Sequence, residues 1–372
     1  MEKVCQRCLT CGLIDRPYSE QLQLKQQRMS VLFGDLIQPL QIVPATDPLG
    51  YRLTAKLRIA AEPLRIGIYR PGSSEVVDLS HCPVHHPLIN HTIVHLKLLL
   101  EQYEIPLYDL RSGRGFLRGV LLRVDPLSER VGVVLVTTSR KKYHNRAWQQ
   151  LLGSLSNSIK PLYLLQNYND TSGNRFLGEQ EKLHSGKAYH TFHFDGRNYT
   201  LPAAAFSQVN GEQAVRAYQL VTEAVDAGKG RVAELYSGAA VTGLALSRSG
   251  REVLAVEIDP ECVRAALRTA TELGLQEFSI LEGDVDQHLE ALRQFHPETV
   301  IVNPPRKGLT GQLVALLPRL GCSRVVYMSC NPETLRRDVE ALTDSFTLKS
   351  LQPLDMFPQT EHIEVVAVLE RR

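Results

Sequence analysis

The stretch Arg231-Val232-Ala233-Glu234-Leu235-Tyr236-Ser237-Gly238-Ala239-Ala240-Val241-Thr242-Gly243 decides the fold. Residues 231–236 form a short apolar run of strand type, 237–240 are small turn residues, and an apolar helical pattern follows over 242–248. That is the strand–turn–helix opening of a doubly wound sheet. Outward from it the same unit recurs in order. A helix is expected over 212–227, then a strand over 252–258, a helix over 260–273, a strand over 278–282 and a helix over 285–295. A strand over 299–303, a helix over 311–317 and a strand over 324–329 complete the pattern. The alternation predicts an α/β domain with a parallel sheet over residues 201–372.

The preceding region reads differently. Residues 53–60 alternate, 65–69 follow Pro63, and 119–124 and 131–137 are β-branched runs, with helical spacing over 87–103 and 147–155. This predicts an α+β domain with an antiparallel sheet over 51–200, closed by hairpins between 160 and 200. Residues 1–50 are set apart as an N-terminal segment bearing a cysteine cluster. A chain of 372 residues also asks for two or three units at roughly 150 residues each.

Composition bounds the function. Apolar residues make up 43% and charged residues 22%, close to globular averages, so the chain is not disordered as a whole. No run of about 18 uncharged apolar residues exists and Met1-Glu2-Lys3-Val4-Cys5 opens no hydrophobic leader, so a cytoplasmic protein without a membrane span is expected. The net charge of +2 conceals an asymmetry. Residues 1–200 carry 25 Lys and Arg against 17 Asp and Glu, whereas 201–372 carry 17 against 23. A basic part beside an acidic one fits a polyanion-gripping domain next to one with another task. Tyr51, Arg52, Lys56, Arg58, Arg111, Arg114, Arg118 and Arg123 are the candidate phosphate or base contacts.

Around the opening turn the residues suit a nucleoside cofactor. Gly238 lies where a backbone can approach a ligand, and Glu257 ends the next strand 19 residues on, placed for ribose hydroxyls. Gly283-Asp284 after the third strand can meet an adenine edge. No G-x-x-x-x-G-K-[ST] phosphate loop is present, so a cofactor without pyrophosphate, such as S-adenosylmethionine, fits better than ATP or NAD. At 325–330 an apolar strand stops at Cys330, followed by Asn331 as expected N-cap and Pro332 as first helical residue. A helix N-terminus favours a thiolate, making Cys330 a candidate nucleophile. Glu364 stands between Ile363 and Val365 in an apolar strand, where a carboxylate is costly unless used or paired. Cys262 and Cys322 have no such context and are expected as packed thiols.

At these residues the chain resembles the RNA 5-methyluridine methyltransferase family. Ser329-Cys330-Asn331-Pro332-x-Thr334 and Asp355-x-Phe357-Pro358-x-Thr360-x-His362-x-Glu364 match its C-terminal motifs, and Phe206-Ser207-Gln208-Val209-Asn210, Leu235-Tyr236-x-Gly238, Glu257 and Asn303-Pro304-Pro305-Arg306 extend the match over the second half. The resemblance implies a Rossmann-like class I S-adenosylmethionine methyltransferase domain. It further implies that Gln208, Tyr236, Glu257 and Asn303 line the cofactor site, that Cys330 is the nucleophile and that Glu364 is the base. Ser237 and Ala239-Ala240 depart from the family's Cys-Gly-Val-Gly type of turn.

Cys5, Cys8, Cys11 and Cys82 offer four thiolates, and by spacing alone zinc and iron–sulfur are both admissible, with His81, His85 and His86 as alternative zinc ligands. The resemblance implies a 4Fe-4S cluster on the four cysteines, as in the family's short 23S rRNA branch, which also has the Asn-Pro-Pro-Arg loop and starts directly at its cysteines. The expected function is methylation of C5 of a uridine in 23S rRNA, with no obligate protein partner. Uridine methylation in the tRNA T-loop, and a non-catalytic RNA-binding or assembly protein with a decayed cofactor turn, are the alternatives.

Overall fold

A computed structural model describes residues 8–110, 112–139, 143, 145–171, 173, 175–225 and 230–372; Cys5 and Arg111 lie outside the described residues. The chain divides into two compact units that are not contiguous in sequence.

The first unit comprises the described residues up to Ile14, Asp47–His190 and Pro202–Val209. Helix α1 (Tyr18–Phe33) precedes it in the chain. Its strands are β1 (Thr54–Ala60), β2 (Arg65–Tyr69), β3 (Val76–Asp78), β4 (Leu117–Asp125), β5 (Arg130–Thr137), β6 (Tyr163–Tyr168) and β7 (Gln180–Gly186). They form one sheet in the order β3-β2-β1-β4-β5-β6-β7, antiparallel except for the parallel β5–β6 pair. Helices α2 (Pro87–Gln102) and α3 (Arg146–Ile159) cover one face, where Ile89, Ile93, Leu96, Trp148, Leu151 and Leu155 are fully buried. α3 is the crossover that a parallel pair requires. The α+β character expected for this region is present.

The second unit comprises Asp15–Thr46, Thr191–Leu201 and Asn210–Arg372. After the hairpin β8 (Tyr189–Phe194) and β9 (Arg197–Pro202), the elements alternate: α4 (Gly211–Glu223), β10 (Val232–Leu235), α5 (Val241–Ser247), β11 (Val253–Glu257), α6 (Pro260–Leu273) and β12 (Phe278–Glu282). Then come α7 (Leu289–Phe295), β13 (Thr299–Val302), α8 (Gly311–Leu316), β14 (Arg324–Ser329), α9 (Pro332–Leu342), β15 (Phe346–Leu354) and β16 (Glu364–Arg371). The sheet order is β12-β11-β10-β13-β14-β16-β15, with β10–β14 parallel and β16 antiparallel to both neighbours. This is the doubly wound α/β sheet that the alternation predicts. Successive residues of β10 serve opposite faces: Ala233 and Leu235 enter one core, Val232 the other. α6 shows how local signals set an element, with Asp259 capping Glu261 N–H, Pro260 in the first turn, and Gly274 ending the helix at φ 67°.

Two boundaries differ from the expected ones. Residues 15–46 join the second unit, because α1 buries Met29 and Phe33 in the same core as Leu335 and Val339 of α9. Most of the β8–β9 hairpin joins it too, since Phe194, Tyr199 and Leu201 pack with α4 and α5 residues. The buried positions of α1 are Gln21, Lys25, Met29 and Phe33. Lys25 and Asp355, 2% and 0% exposed, form an ion pair at 2.5 Å, and the Tyr18 hydroxyl donates to the other oxygen of Asp355 at 2.8 Å. Burial lowers the Lys25 ammonium's pKa and Asp355 opposes that shift.

Removing one partner of a buried pair strands the other charge. Lys25→Met is therefore expected to cost about 3–5 kcal/mol in equilibrium urea unfolding. The double variant Lys25→Met/Asp355→Leu should recover most of that loss.

Candidate active site at the carboxyl edge of the sheet

All five parallel strands of the second unit end on one edge, at Leu235, Glu257, Glu282, Val302 and Ser329. The geometry thereby gathers Tyr236, Gly238, Glu257, Asp284, Asn303 and Cys330, which lie far apart in sequence. Gln208 belongs to the first unit, where it is half-buried.

The turn after β10 is conformationally demanding. Tyr236, Gly238 and Ala240 all have positive φ, at 58°, 56° and 51°. Glycine takes this region freely, whereas a non-glycine residue costs about 1–2 kcal/mol there. The loop thus holds strain at Tyr236 and Ala240, and Ala240 opens α5 with no side-chain cap. A Cβ on Gly238 would meet no atom within 4 Å, so open space lies beside it.

Glu257 is anchored by backbone amides: Gly238 N–H donates to Oε2 at 2.7 Å and Asp259 N–H to Oε1 at 2.8 Å. Each oxygen retains a lone pair that can accept from a ribose hydroxyl. Asp284 is exposed and builds a capping box with Gln287, accepting from Asp286 N–H at 2.9 Å. Asn303 is half-buried directly after β13, its N–H donating to Leu235 O at 3.3 Å. Burial, followed by Asp286 and Asp284, pushes the Tyr236 phenol up to about 12. A carboxylate held in place, open space over a left-handed glycine and an exposed carboxylate beyond form a cradle that fits the nucleoside and amino-acid ends of S-adenosylmethionine.

Cys330 and Glu364 meet at the same edge. Ser329 pairs with Val365 in the β14–β16 ladder, so the next step along it sets Cys330 opposite Glu364. Cys330 is half-buried and Glu364 is 1% exposed, with Oε2 lacking a hydrogen-bond partner. Burial raises the Glu364 carboxyl to about 8, with Arg306 opposing. Burial also raises the Cys330 thiol, Glu364 adds to that shift, and Arg306 counters it.

Three expectations are corrected here. The Cys330 thiol is held up rather than made more acidic, because burial and the Glu364 charge outweigh the short reach of a helix terminus. Asn331 occupies the N-cap position of α9 but its side chain does not cap; its amide donates to Arg306 O at 3.0 Å and so ties the Asn303-Arg306 loop to the turn that carries Cys330. Among the candidate RNA contacts, Arg118 and Arg123 are 3% and 2% exposed. Arg118 donates to Asn169 O and Thr171 O, and Arg123 to Pro202 O and Ala205 O, so both serve the first unit's interior.

Three of the four expected metal ligands, Cys8, Cys11 and Cys82, are described. Cys8 and Cys82 are buried in the first unit's core, and Cys11 packs against it. Burial raises the Cys82 thiol, the backbone amides of Val84 and His85 oppose this, and the neighbouring Cys8 raises it further. Cys8 Sγ donates to Thr10 Oγ1 at 3.1 Å. No group of three or more histidine, cysteine or acidic side chains able to hold a metal exists among the described residues. Cys5, the remaining expected ligand, lies outside the described residues.

Three residues near the site were not foreseen. Arg306 acts electrostatically on Cys330, Glu364 and His362, and although it stands in a quoted motif, its partners are remote in sequence. Glu234 is a second buried carboxyl, raised to about 7, bonded by the Thr242 hydroxyl and by Gly243 N–H at 2.9 Å. Tyr218 of α4 is pushed up by burial and then by both Glu234 and Glu364.

The chain matches the model of the family described as tRNA (Uracil-5-)-methyltransferase over residues 17–372. An uncharacterized RNA methyltransferase of Geobacter sulfurreducens is 31% identical over 377 residues, covering 98% of this chain and 76% of that protein. One of Listeria innocua is 30% identical over 383 residues, covering 99% and 83%. The crystal structure of Pyrococcus abyssi tRNA (uracil-54, C5)-methyltransferase in complex with S-adenosyl-L-homocysteine is similar with a TM-score of 0.78 and 28% identity, covering 96% of this chain and 85% of that one.

Two outcomes follow from the site. A carboxyl whose folded pKa is raised favours folding below its unfolded pKa near 4.5 and loses that contribution as pH climbs through about 8. Glu364→Gln should therefore flatten the fall in unfolding free energy between pH 5 and pH 8, leaving the part due to Glu234; an unchanged slope in urea titrations would refute the raised carboxyl. Gly238→Ala should cost about 1 kcal/mol of stability for its positive φ yet weaken S-adenosylmethionine binding at least ten-fold by calorimetry, because the new methyl group fills the open space.

Proposed function

This chain belongs to the tRNA (uracil-5-)-methyltransferase family and is an S-adenosylmethionine-dependent RNA methyltransferase, and from that premise we propose that it methylates C5 of a uridine in 23S rRNA through a covalent adduct on Cys330. The observation that carries the chemistry is the meeting of Cys330 and Glu364 beside Arg306 at the sheet's carboxyl edge.

In this reading Tyr236, Gly238, Glu257, Asp284 and Asn303 hold S-adenosylmethionine, which when bound supplies a methyl group on a sulfonium. C5 of uracil is a poor carbon nucleophile until a thiolate adds to C6 and turns C4–C5 into an enolate. Cys330 forms that S–C6 bond, and Arg306 lowers the cost of the thiolate. Glu364 then removes the C5 proton after methylation, and elimination breaks the S–C6 bond and returns Cys330. A buried carboxyl group with one oxygen lacking a hydrogen-bond partner suits the role of base, since burial has raised its proton affinity. The target base has to leave its stack to reach a thiol at this depth.

The Asn303-Pro304-Pro305-Arg306 loop supports the 23S rRNA target. The likeness to a tRNA (uracil-54, C5)-methyltransferase supports tRNA as the second reading. No step of the reaction is routed through a 4Fe-4S cluster on Cys5, Cys8, Cys11 and Cys82. No helix among the described residues is long and apolar enough to cross a membrane.

The decisive assay incubates the protein with methyl-labelled S-adenosylmethionine and, separately, 23S rRNA and tRNA from cells lacking it, then maps 5-methyluridine by mass. Label in 23S rRNA that disappears in Cys330→Ala is the expected result. Label confined to tRNA moves the substrate, and label persisting in Cys330→Ala overturns the covalent route.

A further inference from the structure

We propose that α1 is a positioning element of the active site, in which Gln21, Lys25 and Arg28 hold the 355–362 segment so that Glu364 stands against Cys330. This inference rests on the roles given above to those two residues.

Glu364 begins β16, and the nine residues that join it to β15 contain no helix or strand. Such a loop does not place a catalytic group by itself, yet here almost every turn of it is tied to one helix. Lys25 Nζ donates to Asp355 Oδ1 at 2.5 Å and to Phe357 O at 3.1 Å, and the Tyr18 hydroxyl donates to Asp355 Oδ2. Gln21 and Gln359 exchange a reciprocal pair: Gln21 Nε2 donates to Gln359 Oε1 at 2.8 Å, and Gln359 N–H donates to Gln21 Oε1 at 2.9 Å. Arg28 Nη1 donates to Glu361 O at 2.9 Å. Positions 18, 21, 25 and 28 recur at three- and four-residue spacing, so they share one face of α1.

The same helix reaches the nucleophile's side. Arg28 also pairs with Glu333, the second residue of α9, which begins just after Cys330. Arg336 of α9 donates back to Leu32 O at 2.7 Å and to Asp35 Oδ2 at 2.7 Å. α1 therefore bridges the two elements that carry the reacting groups.

The loop also needs to be held. Gln359 has φ 71° and is 5% exposed. A buried non-glycine residue in that region persists only where its surroundings impose it, and such residues gather at functional sites. The paired amide of Gln21 holds both the side chain and the backbone N–H of Gln359. Beside the apolar Met29 and Phe33, α1 buries Gln21 and Lys25, whose side chains both bond polar atoms of this segment.

The test separates the base step from the nucleophilic step. The RNA that accepts methyl groups from the wild-type protein is transcribed with uridine or with 5-fluorouridine. Fluorine cannot leave C5 as a proton does, so on the second transcript the wild-type protein should stop as a methylated Cys330–RNA adduct, resolved on a denaturing gel. Gln21→Ala, which loses contacts to the base-bearing loop and to Arg16 O but none to α9, should form that adduct at the wild-type rate. On ordinary uridine its turnover should fall roughly ten- to a hundred-fold, the scale of small misplacements of a catalytic group, and the methylated adduct should build up. Arg28→Ala, at an ion pair whose side chain is 41% exposed, should fold even if Gln21→Ala does not, and should slow both steps. Wild-type turnover in Gln21→Ala, or in Arg28→Ala where that variant stands in, overturns the positioning role. Equal loss of adduct formation and turnover in Gln21→Ala overturns it too, marking α1 as a stability element alone. Absence of any adduct with the wild-type protein overturns instead the covalent role of Cys330, and this inference with it.

Discussion

The antiparallel register between β14 and β16 is the constraint on which the candidate site depends. Six pairs run from Arg324↔Glu370 to Ser329↔Val365, locked on the far side by β15. A slip of one residue would exchange the two faces of β16, taking Val365, Ala367 and Leu369 out of one core and Val366 out of the other. The observed register places Val365, Ala367 and Leu369 in the core shared with Ile363 and carries Cys330 and Glu364 to the same end of the sheet. The parallel strands β10–β14 could not have done this alone. An antiparallel strand arriving from the other direction is what brings a residue at a strand's start to the edge where the others finish.

Two buried carboxyls on this edge show how satisfaction, rather than burial, distinguishes a supporting group from a reactive one. Glu234 and Glu364 are both raised by desolvation. Glu234 spends its oxygens on Thr242 and Gly243 and thereby fixes the start of α5 beside the strained turn. Glu364 keeps one oxygen without a partner. An unmet buried acceptor costs about 1–3 kcal/mol, a cost a stability-optimised core would shed. Glu257 stands apart from both, since two backbone amides hold it and leave lone pairs for a ligand.

The cationic residues teach a related lesson. Arg118 and Arg123 read as nucleic-acid contacts in a basic half, but each is committed to backbone carbonyls inside the first unit. Guanidinium groups satisfy several orphan carbonyls at once, so a basic sheet is as much a device for closing irregular loops as for meeting phosphates. Arg306 is the converse case, an exposed arginine whose field reaches the thiol, the carboxyl and His362 together.

The alternation after residue 210 determined the doubly wound sheet, because strand and helix periods are properties of neighbouring residues and need no distant partner to be legible. The helix expected over 260–273 is α6, which Asp259 caps and Gly274 ends in the same local way. The resemblance in the motifs around Cys330 and Glu364 marked those residues as candidates. What sequence alone did not yield was α1. Its buried face begins with Gln21 and Lys25, so hydrophobic periodicity, the signal that exposes most helices, is missing where it would be sought. Those side chains are buried only because Gln359 and Asp355 meet them from more than three hundred residues away. The lifted thiol of Cys330 and the reach of Arg306 have the same origin: desolvation and Coulomb interaction depend on distance in space. Only the packed chain decided them.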